Sequence, residues 1–106
     1  MADSTDDLMF GIKKHWNVFF GKDYTMAVCF FGGKTIIASV SGENRTVQII
    51  GPNNEAYVMR LEDGEVVEQC YKDNVKVEKL SIDLKAYKGV LRTLPEAIKE
   101  ALEPLV

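Results

Sequence analysis

Residues 24–77 read YTMAVCFFGGKTIIASVSGENRTVQIIGPNNEAYVMRLEDGEVVEQCYKDNVKV, and this stretch decides the fold. Turn-forming residues recur about every ten positions, and short apolar, β-branched segments separate them. This spacing is typical of an antiparallel β-meander, in which each strand pairs with the next one along the chain. Six strands are predicted, separated by turns at Gly32-Gly33, Gly42-Glu43-Asn44, Gly51-Pro52-Asn53-Asn54, Asp63-Gly64 and Asp73-Asn74.

The first of these turns predicts which side chains of its two strands share a face. A two-residue turn at Gly32-Gly33 places Cys29 opposite Ile36, and directly opposed side chains lie on the same face. One face then carries Met26, Val28, Phe30 and Ile37, and the other carries Ala27, Cys29, Ile36, Ala38 and Val40. Because both faces are apolar, we expect both to be covered, by a helix, by a barrel interior or by another subunit.

The hairpin at Asp63-Gly64 has the strongest turn sequence in the chain. It places Leu61 opposite Val66. The following turn places Glu68 opposite Lys79 on the same face. We therefore interpret Glu68 as half of a cross-strand ion pair and not as a catalytic carboxylate.

The N-terminal segment has helical spacing, which predicts a helix over residues 4–20. Leu8, Ile12, Trp16 and Phe19 recur at intervals of three to four residues. In an alternative interpretation, a short helix ends at Lys14, and residues 16–20 then form a strand that turns through residues 21–23 into the next strand. We expect the helix.

The C-terminal segment is predicted to be helical. Its apolar residues keep helical spacing from residue 84 onwards. The residues Thr93-Leu94-Pro95-Glu96 match a capping box with proline in the first turn, which predicts the start of the last helix. The predicted buried stripe of this helix is Leu94, Ile98, Ala101, Leu102 and Leu105.

Together these patterns predict a single α+β domain spanning residues 1–106. Its core element is a six-stranded antiparallel β-meander, either a curled sheet or a small barrel. An N-terminal helix and a C-terminal capping helix complete it. A chain of 106 residues lies within the usual size of one domain, about 50–200 residues.

The composition argues against some classes of function. The net charge of −3 argues against a nucleic-acid partner, although basic residues concentrate between positions 72 and 92. No apolar run approaches the roughly 20 residues of a membrane span, and the first residues do not resemble a signal peptide. The two cysteines, Cys29 and Cys70, both fall in predicted strands, and we expect a reduced, cytoplasmic protein.

Few residues are suited to catalysis or to cofactor binding. One histidine, His15, and two distant cysteines are too few for a zinc site. Cys29 is flanked by apolar residues, so we expect it to be buried and unreactive. Residues 31–35 contain the glycines and lysine of a phosphate loop, but they join two strands and are predicted to form only a turn. No catalytic residue, metal or cofactor is therefore predicted.

Aromatic residues suggest a binding function. Six fall between Trp16 and Phe31, more than one helix face and one strand face can easily hide. Aromatic side chains left at a surface contribute disproportionately to protein binding. We therefore predict a small, cytoplasmic, non-catalytic protein-binding module, such as an adaptor, inhibitor or regulatory subunit. Trp16 and Phe20 are its predicted anchors, and its partner is another protein or a second copy of the chain.

An alternative function is also open at this stage. A curled sheet can enclose a cavity, and carboxylates at its mouth would suit a small-ligand carrier or a small barrel enzyme.

Overall fold

The structure is a computed structural model that describes residues 16–78 and 84–106. Seven strands form one antiparallel sheet in which each strand pairs with its neighbours in sequence, which confirms the predicted meander. The strands are β1 (Asn17–Phe20), β2 (Tyr24–Phe31), β3 (Lys34–Ser41), β4 (Asn44–Ile50), β5 (Glu55–Glu62), β6 (Glu65–Lys72) and β7 (Val75–Val77).

The two-residue turns set the strand register. At Gly32-Gly33, Asp63-Gly64 and Asp73-Asn74, both central residues have positive φ. This is the type I′ geometry, whose twist matches that of paired strands. The predicted pairs Cys29–Ile36 and Leu61–Val66 are confirmed.

The helix predicted over residues 4–20 is wrong at its C-terminal end, where Asn17–Phe20 form β1. Valine and phenylalanine suit a strand, and the edge of β2 offers backbone partners to this segment. The Gly21 amide donates to the Tyr24 carbonyl oxygen at 2.8 Å and closes the β1–β2 turn. The strand of the alternative interpretation, which leads through a turn into β2, is confirmed, and the described residues form seven strands instead of six. Residues 4–15 lie outside the described part of the chain.

The predicted curl or barrel is also wrong, because the sheet is open. β1 and β7 lie at opposite edges and pair with β2 and β6 respectively. β1 has four residues and β7 three, so each presents only a short edge. Short edge strands limit unwanted pairing with other chains.

The C-terminal segment is helical from residue 84, as predicted, but the predicted capping helix is short and is followed by a separate turn. Helix α1 spans Leu84–Leu91, helix α2 spans Glu96–Lys99, and a 3-10 turn spans Glu103–Leu105. The predicted capping box is wrong, because Pro95 is the N-cap residue of α2 and no side chain caps it. The Thr93 hydroxyl instead donates to the Val90 carbonyl oxygen at 2.6 Å, at the end of α1.

The core lies between one face of the sheet and these C-terminal elements. α2 lies against β2, and the 3-10 turn lies against β5. The sheet contributes buried residues from its central strands: Ala27, Cys29, Ile36, Ala38, Val47, Ile49, Tyr57 and Met59. The C-terminal segment contributes Tyr87, Val90, Leu91, Leu94, Ile98, Leu102 and Leu105. We call this side of the sheet the core face.

The described residues show a partner of Glu68 on β5, and they do not include its predicted partner. The described ladder between β6 and β7 ends at the Cys70–Val77 pair, and Lys79 lies outside the described residues. The Glu68 carboxylate accepts a hydrogen bond from the hydroxyl of Tyr57 on β5.

Candidate functional site

The second face of the sheet is not covered by any element of residues 16–78 or 84–106. Side chains alternate between the two faces of a strand, so each residue next to a core residue points to this second face. We call it the open face. Of the covers predicted for both faces of the β2–β3 hairpin, no described helix or barrel interior lies on this one, and cover by another subunit stays a prediction.

A large part of the open face is apolar. Val28 lies opposite Ile37, and Phe19 lies opposite Met26, so their side chains are neighbours across adjacent strands. Seven of the larger apolar residues of β1 to β5 on this face form what we call the open-face patch. They are Phe19, Met26, Val28, Phe30, Ile37, Ile50 and Val58.

Several members of the open-face patch are strongly exposed. Phe30 is 67% exposed, Phe19 is 48% exposed and Ile50 is 37% exposed. Tyr24, on the same face of β2, is 46% exposed. Single exposed apolar side chains are common on proteins, but a group of them on neighbouring strands marks an interaction surface.

The open face of β1 to β4, all within the described residues, carries no charged side chain. Its remaining residues on β3 and β4 are uncharged polar ones: Thr35, Ser39, Ser41, Asn44, Thr46 and Gln48. Ordinary protein surfaces are about 25–35% charged, whereas interface centres are depleted of charge. This area therefore shares the low charge of interface centres.

A polar network borders the open-face patch on β5 and β6. The Arg60 guanidinium donates to Gln69 Oε1 at 2.8 Å, and the Tyr71 hydroxyl donates to the same oxygen at 2.7 Å. Arg60 also pairs with the carboxylate of Glu62. These side chains form hydrogen bonds and an ion pair with one another. The border is therefore polar, and its one arginine is paired.

The two predicted anchors occupy different environments. Phe20 ends β1 and is 70% exposed, but its pairing with Thr25 places it on the core-face side of the sheet. Trp16 is half-buried and packs at the margin of the core. Its indole nitrogen donates to Thr93 Oγ1 at 2.8 Å. The structure therefore does not bring Trp16 and Phe20 together as one surface.

Phe19 and Phe30 were not predicted as anchors, although their sequence positions hold the necessary information. Phe30 shares a predicted face with Met26 and Val28, and strand alternation gives that grouping correctly. Because both faces of the hairpin were expected to be covered, the exposure of Phe30 was not predicted.

The cysteines do not form a reactive pair. Cys29 is fully buried, as predicted, and neither cysteine is in a disulfide bond. Cys70 is half-buried and lies opposite Tyr57. His15 lies outside the described residues. Across residues 16–78 and 84–106, no group of three or more metal-binding side chains is placed to hold a metal ion.

The pKa of Tyr57 is shifted by its surroundings in the folded protein. Burial, followed by the hydrogen bond and the negative charge of Glu68, raises the pKa of Tyr57 well above its ordinary value of 10. A raised pKa keeps the phenol protonated, so Tyr57 serves as a donor and not as a general base at neutral pH. This pair holds β5 and β6 together.

A solvent-open groove of about 480 Å³ lies between the tips of the β3–β4 and β5–β6 hairpins. Its lining includes three carboxylates, those of Glu43, Glu62 and Asp63, and one arginine, Arg45. Arg45 donates to the carbonyl oxygens of Ala101 at 3.1 Å and of Gly42 at 3.0 Å. Its contacts hold the hairpin tip against the C-terminal segment, which is a structural role.

The basic residues that the structure describes between positions 72 and 92 do not form one continuous surface. Lys72 and Lys76 fall on opposite faces of the sheet, and Lys72 lies 3.7 Å from the carboxylate of Glu55. Lys88 is exposed on α1. A phosphate-binding surface requires basic side chains that converge on one face.

No helix in the described part of the chain has the length and apolar character needed to cross a membrane. Comparison with known proteins found no matching family model, no similar curated protein and no similar solved structure. We therefore infer the function from the surfaces of the molecule.

Proposed function

We propose that this chain is a small, non-catalytic protein-binding module of the cytoplasm, and that the open-face patch is its contact surface. One observation carries the proposal: Phe30 is 67% exposed within an apolar, uncharged area of an otherwise well-packed sheet. Covering one phenylalanine contributes about 1.5–3 kcal/mol, so a partner that covers this area is strongly favoured. The proposal requires no cofactor.

The alternative function depended on a cavity inside a curled sheet or barrel. The described strands form an open sheet, and its core face is filled by large side chains from both layers. The groove at the hairpin tips is polar and open to solvent. These features favour a contact surface over an enclosed ligand site.

Within this proposal, Phe20 is a second contact point at the β1 edge, separate from the open-face patch, because it is 70% exposed on the core-face side of that strand. We expect Trp16 to hold β1 against the C-terminal segment through its hydrogen bond to Thr93. Phe20→Ala should therefore fold with near-normal stability and weaken partner binding. A variant that unfolds, or that binds as tightly as the parent chain, would show that Phe20 is not an anchor.

The contact surface can be tested by site-specific cross-linking. Phe30→p-benzoylphenylalanine places a photoreactive group in the open-face patch without changing its aromatic character. In an extract of the source cells, we expect one discrete cross-linked protein, identified by mass spectrometry. The matched control is Val75→p-benzoylphenylalanine, since Val75 is 62% exposed but lies on β7, away from the open-face patch.

The two sites together decide the proposal. The proposal would be contradicted if positions 30 and 75 gave the same cross-linked products. It would also be contradicted if position 30 gave no intermolecular product. A product within one chain would also contradict it, because the patch would then be covered internally.

A further inference from the structure

The open-face patch is suited to a partner with the same surface. It lies on β1 to β4 without a charged side chain, so two copies facing each other bring no like charges together. In a two-fold dimer each residue meets the same surface on the other copy, and an uncharged patch meets this condition. A partner recognised by complementary charge would find no charge on these strands to pair with.

The size of this area also fits a stable dimer. β2, β3 and β5 each contain eight residues, which at about 3.4 Å per residue gives a length of about 27 Å. β1 to β5 contain 35 residues, and with a strand spacing of about 4.8 Å they cover about 570 Å² before side-chain relief is added. A standard interface buries roughly 800 Å² on each partner, so this area approaches that size, with the paired Arg60 and Glu62 of β5 at its polar border.

The shape of the area favours a second sheet over a single helix or peptide. Side chains of two sheets interdigitate across about 10 Å when the strands are aligned within about 30°. The bulky residues Phe30 and Met26 alternate along β2 with core-facing Ala27 and Cys29, so they project from one strand into the open side. An apolar sheet face that lacks its own helix layer is completed by such a second layer.

We propose that the open-face patch is covered by a second copy of this chain, in a two-fold dimer whose sheets pack face to face. This inference depends on the proposed function and names the partner of that same surface. Each protomer then has one sheet between two apolar layers, its own C-terminal elements and the other sheet. The exposed Phe30 and Ile50 become interface residues.

The test is sedimentation velocity on the purified full chain over a concentration series. The parent chain is expected to sediment as a dimer. Phe30→Asp introduces a charge into both halves of the interface and is expected to raise the dimer dissociation constant by at least about 100-fold. Val75→Asp is the matched control, since Val75 is similarly exposed on the other face, and it is expected to remain dimeric.

A second measurement separates dissociation from unfolding. The thermal midpoint of a dimer rises with protein concentration. We expect this dependence in the parent chain and in Val75→Asp. Phe30→Asp should show a cooperative transition whose midpoint does not depend on concentration.

Three results would overturn the dimer: a monomeric parent chain, a dimer that Phe30→Asp leaves intact, or a dimer that Val75→Asp disrupts equally. The cross-linking experiment distinguishes this failure from that of the proposed function. A monomeric chain that still cross-links from position 30 to a different protein would retain the contact surface and exclude the dimer. A monomeric chain without any intermolecular cross-link would exclude both.

Discussion

Gly32 is a position where backbone conformation and packing act on the same residue. Its φ is +60°, and a Cβ atom there would lie 2.9 Å from the hydroxyl oxygen of Tyr87 on α1. Gly33 has a φ of +77°, but an added Cβ there would have nothing within 4 Å. The two glycines therefore separate the cost of backbone strain from the cost of steric contact.

Alanine substitutions at the two glycines are predicted to differ. A left-handed backbone costs a residue with a Cβ atom about 1–2 kcal/mol, so both variants should lose about this free energy of unfolding. Gly32→Ala should lose more than Gly33→Ala, because the Tyr87 hydroxyl must also move. Urea denaturation measures both losses. The difference should disappear in a Tyr87→Phe background, and a difference that persists there would contradict the steric argument.

Tyr57 is predicted to make stability depend on alkaline pH. The pKa of Tyr57 is raised in the folded protein by burial and by Glu68. Above pH 10 the unfolded chain loses this proton while the folded chain retains it, so the free energy of unfolding falls as the pH rises. The slope from this group reaches at most about 1.4 kcal/mol per pH unit.

The measurement compares urea denaturation at about pH 9 and about pH 11 for the parent chain and Tyr57→Phe. The variant lacks the phenol, so it should lose less stability over this interval than the parent chain. Equal losses in both proteins would show that Tyr57 does not have a raised pKa.

Among the secondary-structure elements, the short C-terminal ones stabilise the sheet by contact rather than by their own helical propensity. α2 has four residues, too few to be stable alone. Ile98 on α2 and Leu105 on the 3-10 turn are both buried against the sheet. Docking therefore maintains these elements, and their buried leucines should be sensitive to truncation.

Leu102→Ala is predicted to destabilise the protein by about 2–5 kcal/mol, the usual cost of truncating a buried leucine. Leu102 is fully buried between α2 and the 3-10 turn. Glu100→Ala is the matched control, because Glu100 is an exposed neighbour and should change stability by no more than about 0.5 kcal/mol. Chemical denaturation measures both, and a loss below about 0.5 kcal/mol for Leu102→Ala would mean that this segment is not docked.

In the whole molecule, the C-terminal segment forms the only second layer that the described residues provide. Nearly half of the buried core residues belong to α1, α2 and the adjoining turns. A single sheet cannot bury either of its faces without a second layer. The cooperativity of folding should therefore depend on these elements.

A chain that ends at Glu78 is predicted to lose cooperative unfolding, because its core face would be left exposed. Its urea transition should be broad, and the near-ultraviolet signal of the single Trp16 should be lost. The parent chain measured under the same conditions is the control. A truncated chain that retains a sharp transition would show that the sheet is stable without its helical layer.

Several features of this fold were determined by local sequence alone. The turns at Gly32-Gly33 and Asp63-Gly64 set the register of their hairpins, because left-handed turn geometry acts between residues close in the chain. Strand alternation likewise grouped Met26, Val28 and Phe30 on one face. Local patterns were therefore sufficient for six of the strands and for the β2–β3 part of the open-face patch.

Other features were decided only by the tertiary structure. The segment that ends in Phe20 fits a helix or a strand by its own pattern, and pairing with the edge of β2 selected the strand. Both faces of β2 are apolar, and the helical layer covers the one with the small residues Ala27 and Cys29. Small side chains let that layer approach the sheet closely, whereas Phe30 on the other face remains exposed. These outcomes depend on contacts between segments distant in sequence, so no local pattern could specify them.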